Sequence, residues 1–166
     1  FAVMRPGVPA IFSGGDDGTE TIFFDTASKK KTPAQVLRRL CSYGTVKVSI
    51  CGTDFYVESE CLCADCHTPL IGTHQTENAV LALAGACALK ASSLKAFENI
   101  TFPSLYTGVV SVKWPGRFEI IKKDPPLLIV DGAHNPHALK KLAENIKVIF
   151  GYSPINIVMA IMKDKD

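Results

Sequence analysis

The chain has 166 residues, a formal net charge of +2 and 47% hydrophobic residues, with a mean hydropathy of +0.17. That length suits one domain or two small ones, and the composition supports a real core. The near-neutral balance gives no footprint for nucleic acid or an anionic membrane, no apolar run reaches the roughly 20 residues that span a bilayer, and Arg5-Pro6 interrupts the only short apolar stretch that could resemble a signal peptide.

In chain order, Val8 to Phe12 reads as a short strand, Ser13 to Gly18 as a Gly/Asp-rich loop and Glu20 to Phe24 as a second strand. Lys29-Lys30-Lys31 reads as a solvated basic face. Thr32-Pro33 reads as the opening of a helix that carries Val36, Leu37 and Leu40, with Thr at the N-cap and Pro in the first turn. Val46 to Ile50 alternates, and Phe55 to Val57 follows Cys51-Gly52-Thr53-Asp54, the pattern of a β-hairpin. Thr76 to Lys90 is Ala/Leu-rich, with Ala79, Leu83, Ala86 and Cys87 at helical spacing, and a short helix is expected over Ser93 to Glu98. Val109 to Val112 starts another element. Leu127 to Val130 suits a buried parallel strand. Asp131 ends it, and from Pro136 the apolar spacing of Ala138, Leu139, Leu142, Ala143 and Ile146 is helical.

Six cysteines require a decision on redox and metal chemistry. Cys61, Cys63, Cys66 and His67 spell C-x-C-x-x-C-H. Three thiolates and an imidazole can bind zinc tetrahedrally, and Cys63 to His67 also fits a c-type haem attachment. Against zinc, the ligands do not come from two separated knuckles; against haem, nothing resembles an export signal. The remaining reading is reduced thiols in a hairpin of a cytosolic protein. Cys41, Cys51 and Cys87 have apolar neighbours and read as core residues.

Ligands of open α/β sheets bind beyond the carboxyl ends of strands, which places Asp131 and His134 where chemistry usually sits. The plainer alternative is that Asp131 caps the following helix and His134 is a loop residue. Asn78 has a capping alternative too, Arg117 could be a surface ion pair, His74 reads as a satisfied structural histidine, Trp114 as a packing anchor, and Asp164 and Asp166 as the end of a strand.

Four segments, in order, resemble one family: Arg5-Pro-Gly-Val-Pro9, Leu70-Ile-Gly-Thr-His-Gln-Thr-Glu-Asn-Ala79, the run from Trp114-Pro-Gly-Arg-Phe-Glu119 through Asp131-Gly-Ala-His-Asn-Pro-His137, and Met162-Lys-Asp-Lys-Asp166. They resemble the dihydrofolate synthase/folylpolyglutamate synthase family of Mur-type ligases, and only Lys29 to Cys66 matches poorly. The resemblance implies an α/β fold in which residues 1–110 complete a P-loop-type, ATP-binding central domain and residues 111–166 begin a Rossmann-like C-terminal ligase domain. It implies a cytoplasmic, monomeric enzyme of folate biosynthesis and one-carbon metabolism. Such an enzyme phosphorylates a folate or dihydropteroate carboxylate with ATP and Mg2+, then joins it to L-glutamate, with no nucleic acid or membrane partner. By the same resemblance Asn78 meets adenine, Arg117 the ATP phosphates and Asp131 the ribose hydroxyls, while His134 is a catalytic candidate near the glutamate and phosphate end. No G-x-x-x-x-G-K-[ST] occurs. The family pattern puts that loop, most magnesium ligands and a modified lysine upstream of Phe1, so the chain reads as a C-terminal-side piece that is inactive alone. The alternative is a non-catalytic α/β nucleotide- or zinc-binding module built on Cys61, Cys63, Cys66 and His67.

Overall fold

Helix-capping chemistry settles the first segment. In a computed structural model, which describes residues 1–60, 62–92 and 95–160, strand β1 (Ala10–Phe12) leads into helix α1 (Asp17–Lys29). Asp16 caps it, its Oδ1 accepting the Thr19 N–H at 2.7 Å, and Asp17 and Glu20 lie in its first turn, where the helix dipole favours them. Glu20, Phe23 and Ala27 are its buried residues, spaced i, i+3, i+7. The strand expected over Glu20 to Phe24 is therefore part of a helix: its β-favouring Ile-Phe-Phe run yields to the cap and the 3.6-residue period.

Thr32 ends this helical region instead of opening a new one. Its N–H reaches the Ala27 carbonyl at 2.9 Å and its hydroxyl donates to the Arg5 carbonyl at 2.9 Å. Ala34–Val36 then forms β2, parallel to β1, with Ala10 opposite Ala34 and Phe12 opposite Val36. Only a single turn, α2 (Leu37–Leu40), remains of the helix expected there. Val36 and Leu37 are fully buried. The Arg38 guanidinium pairs with both carboxylate oxygens of the buried Glu20, Nη2 to Oε2 at 2.7 Å, fastening α2 to α1.

The expected hairpin is present and longer than its sequence core. Strands β3 (Cys41–Ser49) and β4 (Gly52–Ser59) pair antiparallel around Ile50-Cys51, and β5 (Cys63–Thr68) adds a third antiparallel strand. Thr53, Phe55 and Val57 alternate on the buried face of β4. Helix α3 (Thr73–Ala91) lies against this sheet, so that Leu37, Phe55, Val57, Leu62, Cys66, Val80 and Leu83 form one core. Full burial of a Val, Leu or Phe side chain contributes roughly 1.5–3 kcal/mol, so each such member of this cluster stabilises the fold by that order. Cys51 is exposed and is not the core residue expected; Cys41 and Cys87 are partly buried.

Lys95–Phe97 is one 3-10 turn, the described part of the short helix expected over Ser93 to Glu98. Helix α4 (Phe102–Ser111) follows. Thr101 and Ser104 cap it reciprocally, each side chain accepting the other's backbone N–H, at 3.3 Å and 2.9 Å. Val109 to Val112 thus closes a helix and does not start an element. Strands β6 (Glu119–Lys122) and β7 (Leu128–Val130) pair antiparallel. The buried parallel strand expected at Leu127 to Val130 is not seen: the five residues 123–127 between the two strands are too few for the dozen or more of a parallel crossover. Leu128 is 50% and Val130 41% exposed. Helix α5 (Pro136–Phe150) starts where expected, with Asn135 as its cap, Oδ1 accepting the Ala138 N–H at 2.9 Å. The Met162-to-Asp166 segment, with Asp164 and Asp166, lies outside the described residues. The chain is thus α/β, with three small sheets among the described residues and helices packed on the strands that precede β6, and no described helix is long and apolar enough to cross a membrane.

Candidate active site

The first turns of α3, the loop from Trp114 to Phe118, the end of β7 and one face of α5 enclose a cleft of about 830 Å³. Asn78, Arg117 and Asp131 all line it, although they are far apart in sequence. This volume lies within the range of small-molecule sites, roughly 300–1,000 Å³.

Asp131 organises the loop that carries Arg117. Its Oδ2 accepts the Phe118 N–H and its Oδ1 the Ala133 N–H, each at 2.8 Å, and the Gly132 N–H donates to the Gly116 carbonyl at 2.8 Å. Phe118 holds a positive φ of 47° and is buried, an arrangement the Asp131 bond supports. Asp131 therefore caps the turn that holds Arg117, not the following helix, whose cap is Asn135. Each carboxylate oxygen retains acceptor capacity toward the cleft. Arg117 is exposed there and, among the described residues, forms none of the ion pairs, so its planar fork is open to an anion.

Asn78 does not cap α3. Gly72 occupies that position, and Asn78 lies in the second turn. Its Nδ2 donates to Gln75 Oε1 at 3.1 Å, and Gln75 Nε2 is 3.0 Å from His74 Nε2. Gln75 is buried, and the Nδ1 of His74 is buried without a hydrogen-bond partner, so His74 is not the satisfied structural histidine its sequence position suggests. Burial, then the nearby Lys141 charge, hold the His74 imidazole below its ordinary pKa; Asp131 opposes them, and lesser effects follow from Arg117, which lowers it, and Glu144, which raises it. The lowered pKa favours the neutral form of the imidazole.

The face of α5 toward the cleft presents His137, Ala138, Lys141, Leu142 and Asn145, the i, i+4, i+8 repeat of one helix stripe. Lys141 reaches Glu144 Oε2 at 3.1 Å, a contact that lowers the pKa of that carboxyl. The buried Asn145 joins α5 to the entry of α3, its Nδ2 donating to the Ile71 carbonyl at 3.4 Å. His134, the catalytic candidate, is not among the lining residues: its Nδ1 is 2.8 Å from the Gly132 carbonyl, to which it donates within its own turn. Trp114, expected as a packing anchor, is 62% exposed and lines the cleft and an adjoining apolar groove of about 390 Å³. The sequence reading gives no site role to Gln75, Trp114, His137 or Lys141, although the first three lie in the segments it singles out. The i, i+4 pairing of His137 with Lys141, counted from Pro136, was the available signal for two of them.

Arg117, Lys141 and the N-terminus of α3 make one side of the cleft attractive to an anion, with Asp131 and Asn78 supplying directional hydrogen bonding. No three His, Cys, Asp or Glu side chains lie together as metal ligands among the described residues, and both Asp131 oxygens already accept backbone N–H bonds. These residues do not fit a magnesium site. Nor does the cysteine cluster converge. Cys61 lies outside the described residues; Cys66 points into the core, whereas Cys63 and His67 lie on the other face of β5, four positions or roughly 13 Å apart. His67 Nδ1 is instead 2.7 Å from Asp54 Oδ1.

Residues 116–166 match the family described as Mur ligase, glutamate ligase domain. Over 164 residues the chain is 32% identical to the dihydrofolate synthase/folylpolyglutamate synthase of Bacillus subtilis, covering 98% of this chain and 37% of that protein. The structure resembles folylpolyglutamate synthase from Thermotoga maritima with a TM-score of 0.77 at 26% identity, over 91% of this chain and 34% of the other. It shares its fold with the Mycobacterium tuberculosis folylpolyglutamate synthase solved with ADP and AMPPCP, at a TM-score of 0.68 and 22% identity, over 90% of this chain and 33% of the other. The chain thus spans little more than a third of the curated relative's length. These relatives come from the family that the four sequence segments resemble.

Proposed function

We propose that this chain, similar over nearly all its length to a dihydrofolate synthase/folylpolyglutamate synthase and matched over residues 116–166 by the Mur ligase glutamate ligase domain, is part of an ATP-dependent ligase that adds L-glutamate to dihydropteroate or a folate. The observation that carries the reading is the convergence of Asn78, Arg117 and Asp131 on one cleft. We place the division between its two domains near Ser111, the last residue of α4.

A carboxylate does not condense with an amine unaided at neutral pH, because its oxygen is a poor leaving group. In the proposed reaction a carboxylate oxygen of the pteroate or folate attacks the γ-phosphorus of ATP, the bond to the β-phosphate oxygen breaks and ADP leaves. The amine of glutamate then attacks the acyl carbon, releasing phosphate and a proton. Arg117 holds the phosphates, where a two-pronged charged donor stabilises charge that shifts during transfer. Asp131 accepts from the ribose hydroxyls, and Asn78 meets the purine edge. Lys141 and His137 line the same cleft, where the Lys141 charge and the His137 ring favour the carboxylates of glutamate. Phosphoryl transfer also needs magnesium, supplied with ATP.

The test is ADP release by the ligase carrying this sequence, with nucleotide, pteroate and glutamate each omitted in turn. ADP formed in step with glutamylated product, and only with all three present, supports the reading. ADP release indifferent to glutamate, or no turnover with either pteroate class, removes it.

A further inference from the structure

Gln75 is only 5% exposed, yet no part of the proposed reaction touches it. Its amide lies between two cleft residues. Oε1 accepts from Asn78 Nδ2 at 3.1 Å, and Nε2 faces His74 Nε2 at 3.0 Å. With the Gln75 amide oriented this way its NH2 donates, which assigns His74 Nε2 as the acceptor and leaves the imidazole proton on Nδ1, the buried atom without a partner. The three side chains form a directed relay, from Asn78 to Gln75 to His74. Only Gln75 is buried, His74 being half-buried and Asn78 exposed, and the relay has one orientation to the extent that each member is fixed by the next.

The consequence falls on Asn78. A free asparagine amide turns over at little cost and offers either a donor or an acceptor to a ligand. Here one N–H of the amide is held by Gln75, which fixes the amide's direction and keeps its Oδ1 as the free acceptor of this cleft residue. We infer that Gln75 is a positioning residue for base selectivity: by holding the Asn78 amide it presents an acceptor to the purine's six position, so that the cleft takes a 6-aminopurine nucleotide and rejects a 6-oxopurine one. An exocyclic amine donates to Oδ1, whereas a six-position carbonyl would meet it oxygen to oxygen. This inference rests on the ligase reading.

The test compares kcat/KM for ATP and ITP in the ligase carrying this sequence, in parent, Gln75→Leu, Gln75→Glu and Asn78→Ala forms, with melting temperatures alongside. The parent prefers ATP. Gln75→Leu frees the Asn78 amide and reduces that preference by about fivefold to tenfold, the size of one hydrogen bond, while the KM for folate and for glutamate stays put. Gln75→Glu keeps an acceptor toward Asn78 and so retains the preference even if it melts lower, which a merely structural role would not produce. If the parent and Asn78→Ala differ in preference but Gln75→Leu matches the parent, the ligase reading stands and the relay is overturned. If no nucleotide supports turnover in the parent, the ligase reading itself has failed.

Discussion

His74, neutral and half-buried between Lys141 and Asp131, links the cleft to stability. Its folded-state pKa lies below the unfolded value of about 6.5, so as the pH falls the unfolded chain takes up the proton first. The stability from burying neutral His74 is whole above about pH 6.5 and is lost as the pH drops below it. Thermal melts at about pH 7.5 and about pH 5.5 should show a lower melting temperature in acid, and His74→Gln, which cannot titrate, should narrow the gap. An unchanged gap would mean that His74 titrates alike in both states. The thiols divide in the same residue-by-residue way. Cys66 is buried and its thiol pKa is raised by burial, while Cys63 is exposed. Cys63→Ser should change stability by less than about 0.5 kcal/mol, as surface substitutions do, and Cys66→Ser should cost about 1–3 kcal/mol by burying a hydroxyl in the core. Chelators should move neither melting curve; a chelator-dependent loss would revive a metal at this strand.

Between elements, one tight joint lies where α3 begins against α5. Gly72 has a φ of +126°, and a Cβ there would lie 2.5 Å from Asn145 Nδ2 and 2.7 Å from the His74 ring. Gly72→Ala should therefore destabilise by about 2–4 kcal/mol, combining backbone strain with a steric clash. Asn145→Ala added to it should recover part of that loss, since the clash goes and the strain stays; strictly additive losses in denaturant melts would show that the two do not meet. Periodicity made several elements legible. The Ala/Leu spacing of α3, the alternation of β3 and β4, and the Asn-Pro start of α5 all read directly from sequence. Glu20 to Phe24 misled because Ile-Phe-Phe favours strands and the deciding cap, Asp16, sits in a Gly/Asp-rich stretch that reads as loop. Thr32-Pro33 misled because Thr-Pro is a sound helix opening wherever tertiary bonds do not claim the threonine, and here the Arg5 carbonyl does. In the cleft, Asn78, Arg117 and Asp131 could be picked out as residue types inside recognisable segments. Gln75, Trp114 and His137 lie inside the same segments but show no site role there, and Lys141 lies beyond them; their part in the cleft becomes visible only once α3, the Trp114 loop and α5 are brought together.

At the scale of the whole molecule, the fold gathers groups from α3, the β6 entry and the β7 exit around one volume. A nucleotide bound there touches all three, but they differ in what the reaction asks of them. Arg117 contacts charge that redistributes during phosphoryl transfer, so Arg117→Ala should lower kcat as well as ATP affinity. A lost charge-assisted contact of about 1.5–3 kcal/mol corresponds to roughly a 10- to 150-fold fall in kcat/KM. Lysine should restore only part of it, as a point charge cannot reproduce the fork. Asp131 contacts ribose, which does not change, so Asp131→Ala should mainly raise the KM for ATP, the mark of uniform binding loss.

The most direct measurement is therefore steady-state kinetics of Arg117→Ala and Asp131→Ala in the ligase carrying this sequence, with ATP, pteroate and glutamate varied in turn. The account predicts defects confined to ATP, split between kcat and KM for Arg117 and concentrated in KM for Asp131. Normal ATP kinetics in both variants, together with melting far below the parent, would show that these residues only hold the β6–β7 loops together and that the nucleotide binds elsewhere.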